Sequence, residues 1–255
     1  MPKVSQYIIS DLFRNRLIQG YVLLLASVGW GIFMLESQPE KALLIIMQVT
    51  LFALPLIAIV FATVYFYNSQ DFVVLLLAQP IARSTVIWGF YLGLCGAFVA
   101  GFFISIGLPL LLFYPTPESI MLLLAGGLLI FIFVAIALFI STLVSDKARG
   151  MGLALLLWAF FAFVYDGLLL FFMYYFGEYP IEPGVLTLSF FNPIDIARIT
   201  IIMKTEASAL LGLSGAIFRN FFGSTLGVLA SLTALLVWVI IPFFLVKYSF
   251  AKKDM

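Results

Sequence analysis

The sequence contains no histidine and a single cysteine, Cys95. A disulfide needs two thiols, and the usual Cys/His metal cages need several such ligands, so neither can form within one copy of the chain. Nucleophilic catalysis of the Ser/His or Cys/His kind is excluded as well, because no imidazole can act as the base. Met151, Met173 and Met203 are soft Cu(I) ligands by type but show no ligand spacing, so we predict no metal site.

Motifs for phosphate binding and hydrolysis are also missing. The chain has no G-x-x-x-x-G-K-[ST] loop for nucleotide phosphates, no H-E-x-x-H motif and no G-x-S-x-G turn. Charged residues form only 10% of the chain and the basic ones are scattered, which argues against nucleic acid as a partner. We predict that the chain is not an enzyme and holds no cofactor, and that energy for any driven process comes from another chain.

Apolar residues, by contrast, form 64% of the chain. This fraction is too high for one soluble core and is typical of an integral membrane protein. Runs that cross a hydrocarbon layer of ~30 Å must be helical, because lipid offers the backbone amides no partner. We predict an all-α membrane protein with six spans, at 17–35, 43–66, 86–113, 119–144, 150–176 and 223–246.

Three further segments complete a single transmembrane domain, 1–255. Residues 1–16 place Tyr7, Ile8 and Leu12 at helical spacing beside basic residues, which favours a retained interfacial helix over a cleaved signal peptide. Residues 67–86 form a loop between the second and third spans, and residues 177–222 form the one long connection.

Basic residues near the span ends predict the orientation of the chain, because they collect on the cytoplasmic side. Both termini, the loop 67–86 and "SDKARG" (145–150) fall on the side that carries nine of the thirteen basic residues, so we predict that all of them are cytoplasmic. These nine are Lys3, Arg14, Arg16, Arg83, Lys147, Arg149, Lys247, Lys252 and Lys253.

The loop 67–86 contains an apolar stretch that is too short to span. Ser69 is a candidate helix cap, Asp71 is well placed for the helix dipole, and Pro80 ends the segment. Helical spacing puts Phe72, Leu75, Leu76 and Gln79 on one face. The helix either rests at the lipid interface, which the spacing alone favours, or fits a groove on a cytoplasmic motor.

Two polar features lie on the predicted outer side. Asn192-Pro193 is a good start for an amphipathic helix, which either plugs the outer face or docks an external partner. Asp166 is the only acid well inside a span, on the helical face of Trp158, and such a charge costs ~2.5 to 3.5 kcal/mol to insert. With no basic residue in any span, we interpret it as lining a polar pathway or relaying protons, or else as a protonated acid bonded to a neighbouring helix.

The third span carries a small residue at every fourth position. Such a seam allows close helix packing, either within one subunit or between two. It comprises Gly89, Gly93, Ala97, Gly101 and Ser105.

Several stretches resemble a known family. "LLLAQPIARSTVIWGFYLG" (75–93) is similar to the loop of ABC-2 type transporter permeases, in which an apolar helix, a proline and an arginine precede the third span. "LVSDKARGMGLALLLWAFFAFVYDGLLL" (143–170) and "FFNPIDIARITIIMKTEA" (190–207) resemble more closely the NosY-like permeases, which serve the ABC complex for maturation of the copper enzyme nitrous oxide reductase. Asp166 and Asn192-Pro193-x-Asp195-x-x-Arg198 match that pattern. The opening "YNSQDFV" departs from it, because the family has several glutamates where this chain has only Asp71.

The resemblance implies a homodimeric permease of the bacterial inner membrane. It implies a cytoplasmic NosF-like ABC ATPase that binds ATP and Mg, and a periplasmic NosD-like partner of β-helix type. The expected cargo is a copper or sulfur species for copper-site assembly, or none if the complex acts mechanically. Coupling to the ATPase is then expected at Asp71, Phe72, Leu75, Leu76, Gln79, Pro80, Arg83, Asp146, Lys147 and Arg149, and outer docking at Asn192, Pro193, Asp195 and Arg198.

Three alternatives remain open. An ABC-2 exporter of another substrate fits the same features. An ion-coupled secondary transporter would titrate Asp166, although one acid without a visible inverted repeat makes a poor relay. A scaffold without transport also accounts for the missing catalytic motifs.

Overall fold

The structure, a computed structural model, describes residues 2–176, 182–205 and 224–252. Two parts of the predicted outer connection, 177–181 and 206–223, lie outside the described residues. Within the described ranges the chain is helical and no strand occurs. The helices are α1 (Pro2–Arg14), α2 (Arg16–Leu35), α3 (Pro39–Asn68), α4 (Gln70–Leu77), α5 (Arg83–Phe102), α6 (Leu108–Phe113), α7 (Pro117–Leu143), α8 (Lys147–Ala159), α9 (Tyr165–Tyr175), α10 (Glu182–Ser189), α11 (Pro193–Ile202) and α12 (Thr225–Lys252).

Among the residues that the structure describes, six helical stretches are long and apolar enough to cross a membrane, which confirms the predicted number and order of spans. The third and fifth each contain one π-helical segment, Phe103–Gly107 between α5 and α6 and Phe160–Val164 between α8 and α9. The periodicity of apolar residues did not predict these segments, because the residues on both sides are uniformly apolar. The spans therefore occupy the predicted positions, although the second is longer than predicted, at Pro39–Asn68, and two of them change helical register midway.

Helix α7 lies at the centre of the bundle and contacts α3, α5, α11 and α12. In its most apolar stretch 67% of the residues are buried, against 17% for the span built from α8 and α9. Gly126 makes the close approach possible, since a Cβ there would lie 2.7 Å from Cζ of Phe102. The fifth span is thus the most peripheral and leaves most of its surface for lipid or another chain.

One end of the bundle brings together the segments that were predicted to share a side. The Tyr65 hydroxyl of α3 donates to Asp11 of α1 at 2.9 Å, and Arg83 of α5 donates to the Ala251 carbonyl of α12 at 3.1 Å. A cavity of about 300 Å³ at the opposite end is lined by residues that include Glu118 and Lys204. This arrangement agrees with the predicted grouping, while the cytoplasmic placement of that end stays a prediction.

The N-terminal helix α1 is amphipathic as predicted, but its apolar side faces protein. Ile8 and Leu12 are buried in the common core, and Asp11 is exposed. The Cδ1 atom of Ile9 lies 3.2 Å from the position that a Cβ on Gly96 would occupy. The glycine in α5 therefore forms part of a seat for α1 on the bundle.

The small-residue seam of the third span is buried within this one subunit. A Cβ on Gly101 would lie 2.9 Å from Cε1 of Tyr21, and the Ser105 hydroxyl donates to the Val22 carbonyl at 2.9 Å. On α2, a Cβ on Gly29 would lie 2.6 Å from the Ser105 carbonyl oxygen. Of the two interpretations, packing within one subunit is the one the structure supports.

We expect Gly101→Ala to destabilise the fold by ~1 to 3 kcal/mol, because Tyr21 is buried and its ring cannot move aside. Gly127→Ala is the matched control, since a Cβ there meets nothing within 4 Å. Thermal unfolding in detergent should show a lower midpoint for Gly101→Ala alone. Equal midpoints for the two variants would contradict the close contact.

Candidate functional site

The π-helical segment Phe160–Val164, called the break in the fifth span from here on, is bonded to Asn192, the residue that precedes α11. In this segment each backbone hydrogen bond spans one residue more than in an α-helix. The side-chain amide of Asn192 donates to the Phe161 carbonyl at 2.8 Å. The break and the start of α11 are therefore joined directly.

Asn192 also caps α11, as its position before Pro193 predicted. Its side-chain oxygen accepts from the Ile194 amide at 3.0 Å, and its Nδ2 donates to Oδ2 of Asp195 at 2.8 Å. The Asn192 side chain is fully buried. Each of its polar atoms thus has a partner, which is the condition for a stable buried amide.

Asp166 has a basic partner that inspection of the spans alone could not find. Nη1 of Arg198, on α11, lies 2.5 Å from Oδ2 of Asp166 and 3.3 Å from Oδ1 of Asp195. The protonated-acid interpretation therefore gives way to an ion pair between the fifth span and the outer helix. Arg198 opposes the cost of placing Asp166 in the span, and one guanidinium serves two carboxylates.

The second carboxylate is the more buried one. Burial, and after it the nearby Asp166 carboxylate, raise the pKa of Asp195 from 3.8 to about 8, although Arg198 and Asn192 oppose the rise. A carboxyl with a raised folded-state pKa stabilises the fold fully below its unfolded pKa, and this contribution is lost as pH rises through about 8. The raised pKa favours the protonated form of Asp195 near neutral pH, beside the contact between Asp166 and Arg198.

Helix α11 is inserted among the spans. Ile196, Ala197 and Ile201 are buried, and α11 contacts α7 and α12. The plug interpretation agrees with this packing.

The burial also corrects part of the docking hypothesis. Asn192, Pro193 and Asp195 are buried inside this chain, so they position α11 and offer no surface for contact by an outer partner. Docking near this helix stays a prediction, and the neighbouring Phe191, which is 60% exposed, is a better candidate for it.

At the other end of the bundle, the predicted short helix forms as α4. It ends at Leu77, before Gln79-Pro80, and Ser69 precedes it without making a side-chain capping bond, so the Ser69 cap was wrong. Asp71 lies exposed in the first turn, where a negative charge suits the helix dipole.

The predicted single face of α4 divides in two. Phe72 and Leu76 pack towards the bundle, with the Phe72 ring 5.3 Å from that of Tyr7, whereas Leu75 and Gln79 point outward. Helix α4 lies against α5, and its Phe72 ring contacts Tyr7 of α1. Phe72 and Leu76 are therefore turned towards the bundle. The outer surface of α4 and of the residues that follow it consists of Gln70, Asp71, Val74, Leu75, Ala78, Gln79 and Pro80.

The residues of "SDKARG" connect helices within the chain. Asp146 caps α8 by accepting from the Arg149 amide at 2.8 Å. Lys147 donates to the side-chain oxygen of Asn68, at the end of α3, also at 2.8 Å. Lys147 thus holds α8 to α3, Asp146 caps α8, and Arg149 is exposed.

The sequence predicted no role for Tyr67 or Gly150, which lie at this junction. The Tyr67 hydroxyl donates to the Val144 carbonyl at 2.7 Å, and Gly150 lies against the Tyr67 ring. The sequence did not single out Tyr67, because aromatic residues favour both membrane interfaces and a tyrosine at the end of a span is therefore common.

Removing the charge of Asp166 tests the ion pair. We expect Asp166→Asn and Arg198→Gln each to lower the thermal midpoint, and the double variant to lose less than the sum. The interaction free energy should be ~0.5 to 3 kcal/mol, because the two side chains are in contact. Asp71→Asn, an exposed acid, is the control. Additive losses would contradict the pair.

The protonation of Asp195 predicts a specific pH dependence. Asp195→Asn should fold at neutral pH, because asparagine resembles the neutral acid. Between about pH 6 and about pH 9 its thermal midpoint should fall less with rising pH than that of the unaltered chain, since the titrating group is gone. Parallel curves for the two proteins would rule out a raised pKa at this position.

Comparison with known proteins agrees with these features. Residues 6–255 match the sequence model of a family described as ABC-2 family transporter protein. A probable ABC transporter permease protein NosY of Pseudomonas aeruginosa is 31% identical over 175 residues, which is 63% of this chain and 63% of that protein. A protein of the same description from Stutzerimonas stutzeri is 29% identical over 244 residues, 87% of this chain and 83% of that protein. The chain belongs to the ABC-2 transporter family and is a multi-pass membrane permease.

Proposed function

We propose that this permease works as a dimer of two copies with a separate cytoplasmic ATPase, and that α4 receives the force of ATP hydrolysis. The observation that carries the proposal is the outer surface of α4. Its inner face is seated on the bundle, and Val74 and Leu75 are 52% and 66% exposed. Since the sequence has no phosphate-binding loop, ATP and Mg are assigned to the partner chain.

The shape and charge of α4 suit a groove on another protein. A short helix that presents Val74, Leu75 and Ala78 offers apolar anchors, with Asp71 and Gln79 as polar neighbours. The surface is small, so the affinity would depend on one or two buried anchors. Exposed Arg149 at the start of α8 lies at the same end and extends the contact.

We further propose that the complex supports copper-site assembly in nitrous oxide reductase, with a periplasmic β-helix partner of the NosD type. The support is the name NosY of both relatives, together with the resemblance of Asp166, Asn192, Asp195 and Arg198 to the NosY-like pattern. This chain provides no histidine, and its one cysteine is buried, so a copper or sulfur species would pass without tight binding or the complex would act mechanically. An ABC-2 exporter of another substrate is the alternative.

Ion-coupled transport through Asp166 has less support. A relay needs a carboxyl that is open to a proton pathway, whereas the Asp166 carboxylate contacts Arg198 of α11. The cluster is better suited to holding α11 against the fifth span. The nearby break in that span is where the two could shift relative to each other.

The test is co-purification of the permease with its ATPase from the native membrane. We expect Leu75→Asp to lower retention of the ATPase by about tenfold or more, because one buried apolar anchor contributes ~2 kcal/mol or more. Ser10→Asp places the same charge on the exposed side of α1 at the same end and should retain the ATPase.

Two results would count against the proposal. Equal retention with Leu75→Asp would remove α4 as the docking element. Absence of any ATPase with the unaltered chain would contradict the coupling to ATP as a whole.

A further inference from the structure

The end of α3 is joined at three points to the start of α8 and to Val144, the C-cap residue of α7 just before it. Besides the Tyr67 bond to the Val144 carbonyl and the Lys147 bond to Asn68, Gly150 allows the Tyr67 ring to lie against the α8 backbone. A Cβ on Gly150 would lie 2.7 Å from Cζ of Tyr67, closer than real contacts allow. Tyr67 is 7% exposed, so the ring has little room to turn away.

The same end of α3 leads into α4 with almost no interruption. Only Ser69 separates the two helices; its amide donates to the Tyr65 carbonyl at 3.0 Å, and its own carbonyl accepts from the Val73 amide at 2.9 Å. The backbone hydrogen bonds thus continue from one helix to the next. A force that displaces α4 acts on the end of α3, where Tyr67 lies.

Further along, α3 and α8 meet again just before the break. The Trp158 indole donates to the Phe52 carbonyl at 3.3 Å, and the two rings are 5.0 Å apart. Beyond the break, Asp166 at the start of α9 contacts α11 through Arg198. Helix α8 is therefore attached to α3 at two levels, and the π-helical segment separates it from α9.

We infer that Tyr67 is a positioning residue that makes α8 move with α3 when the partner ATPase displaces α4, so that the displacement reaches the break at Phe160–Val164 and then α11. This inference rests on the proposed function. It names the contact through which that coupling passes.

The experiment measures an ATP-dependent change near α11 in the purified permease–ATPase complex. A cysteine at the exposed position Phe191 (Phe191→Cys) is modified with a water-soluble maleimide, without nucleotide and with ATP and vanadate. The native Cys95 is fully buried and should not react. The rate ratio is the rate of maleimide modification with ATP and vanadate divided by the rate without nucleotide. It reports how far the displacement at α4 is transmitted.

In this background Tyr67→Phe keeps the ring and removes only the hydroxyl. Losing one hydrogen bond of ordinary net strength changes an equilibrium constant by about fivefold, so the rate ratio should move towards one by about that factor. ATPase retention and the rate of ATP hydrolysis should stay within about twofold of the unaltered complex, because α4 itself is intact. A variant that only lost stability would change the rate ratio, ATPase retention and the rate of ATP hydrolysis together.

Gly150→Ala offers a second variant, with Gly152→Ala as its matched control. Alanine at 150 pushes against Tyr67, whereas a Cβ on Gly152 meets nothing within 4 Å. We expect the rate ratio to fall in Gly150→Ala and to be unchanged in Gly152→Ala.

The results separate the two proposals. If the ATPase is retained but Tyr67→Phe shows the full rate ratio, Tyr67 does not transmit the displacement and the inference is wrong. If the unaltered complex shows no rate difference with ATP, no displacement reaches α11 and the inference is again wrong. If no ATPase is retained by the unaltered chain, both the proposed function and the inference fall.

Discussion

In the hydrocarbon layer every backbone amide and carbonyl must find its hydrogen-bond partner inside the protein, and the rest of this structure depends on that constraint. It makes the six spans helical, and it gives the break at Phe160–Val164 its significance. The Phe161 carbonyl within the break accepts a hydrogen bond from the side-chain amide of Asn192, the cap of α11. The break and the start of α11 are thus joined by a hydrogen bond that is made inside the protein.

The cluster of Asp166, Asp195 and Arg198 also depends on polar groups finding their partners inside the protein. Asp166 is acceptable within the span because Arg198 supplies a cation from a helix that is not itself a span. Asp195 shares that cation and takes the neutral form when buried. These residues form a link between the fifth span and α11 that includes one ion pair and several hydrogen bonds. Such a link can hold two helices together and still exchange partners when they shift, which suits a moving part of a permease.

At the opposite end the links are of a different kind. Only Ser69 separates α4 from α3, and α3 is joined through Tyr67 to Val144, just before α8, and through Asn68 to Lys147 of α8 itself. In the peripheral fifth span, α8 is therefore attached to α3, the helix that leads into α4. The other half of that span, α9, is attached to α11 at the other face.

The sequence by itself determined the all-α class, the six spans, the short helix after the second span and the Asn192 cap. Each of these depends on local composition or on neighbours along the chain. Only the tertiary structure decided that Arg198 is the partner of Asp166, that Leu75 points outward while Leu76 packs inward, and that the small-residue seam lies within one subunit. Those outcomes depend on contacts between helices, and uniformly apolar spans carry no periodic signal that tells which side faces protein and which faces lipid.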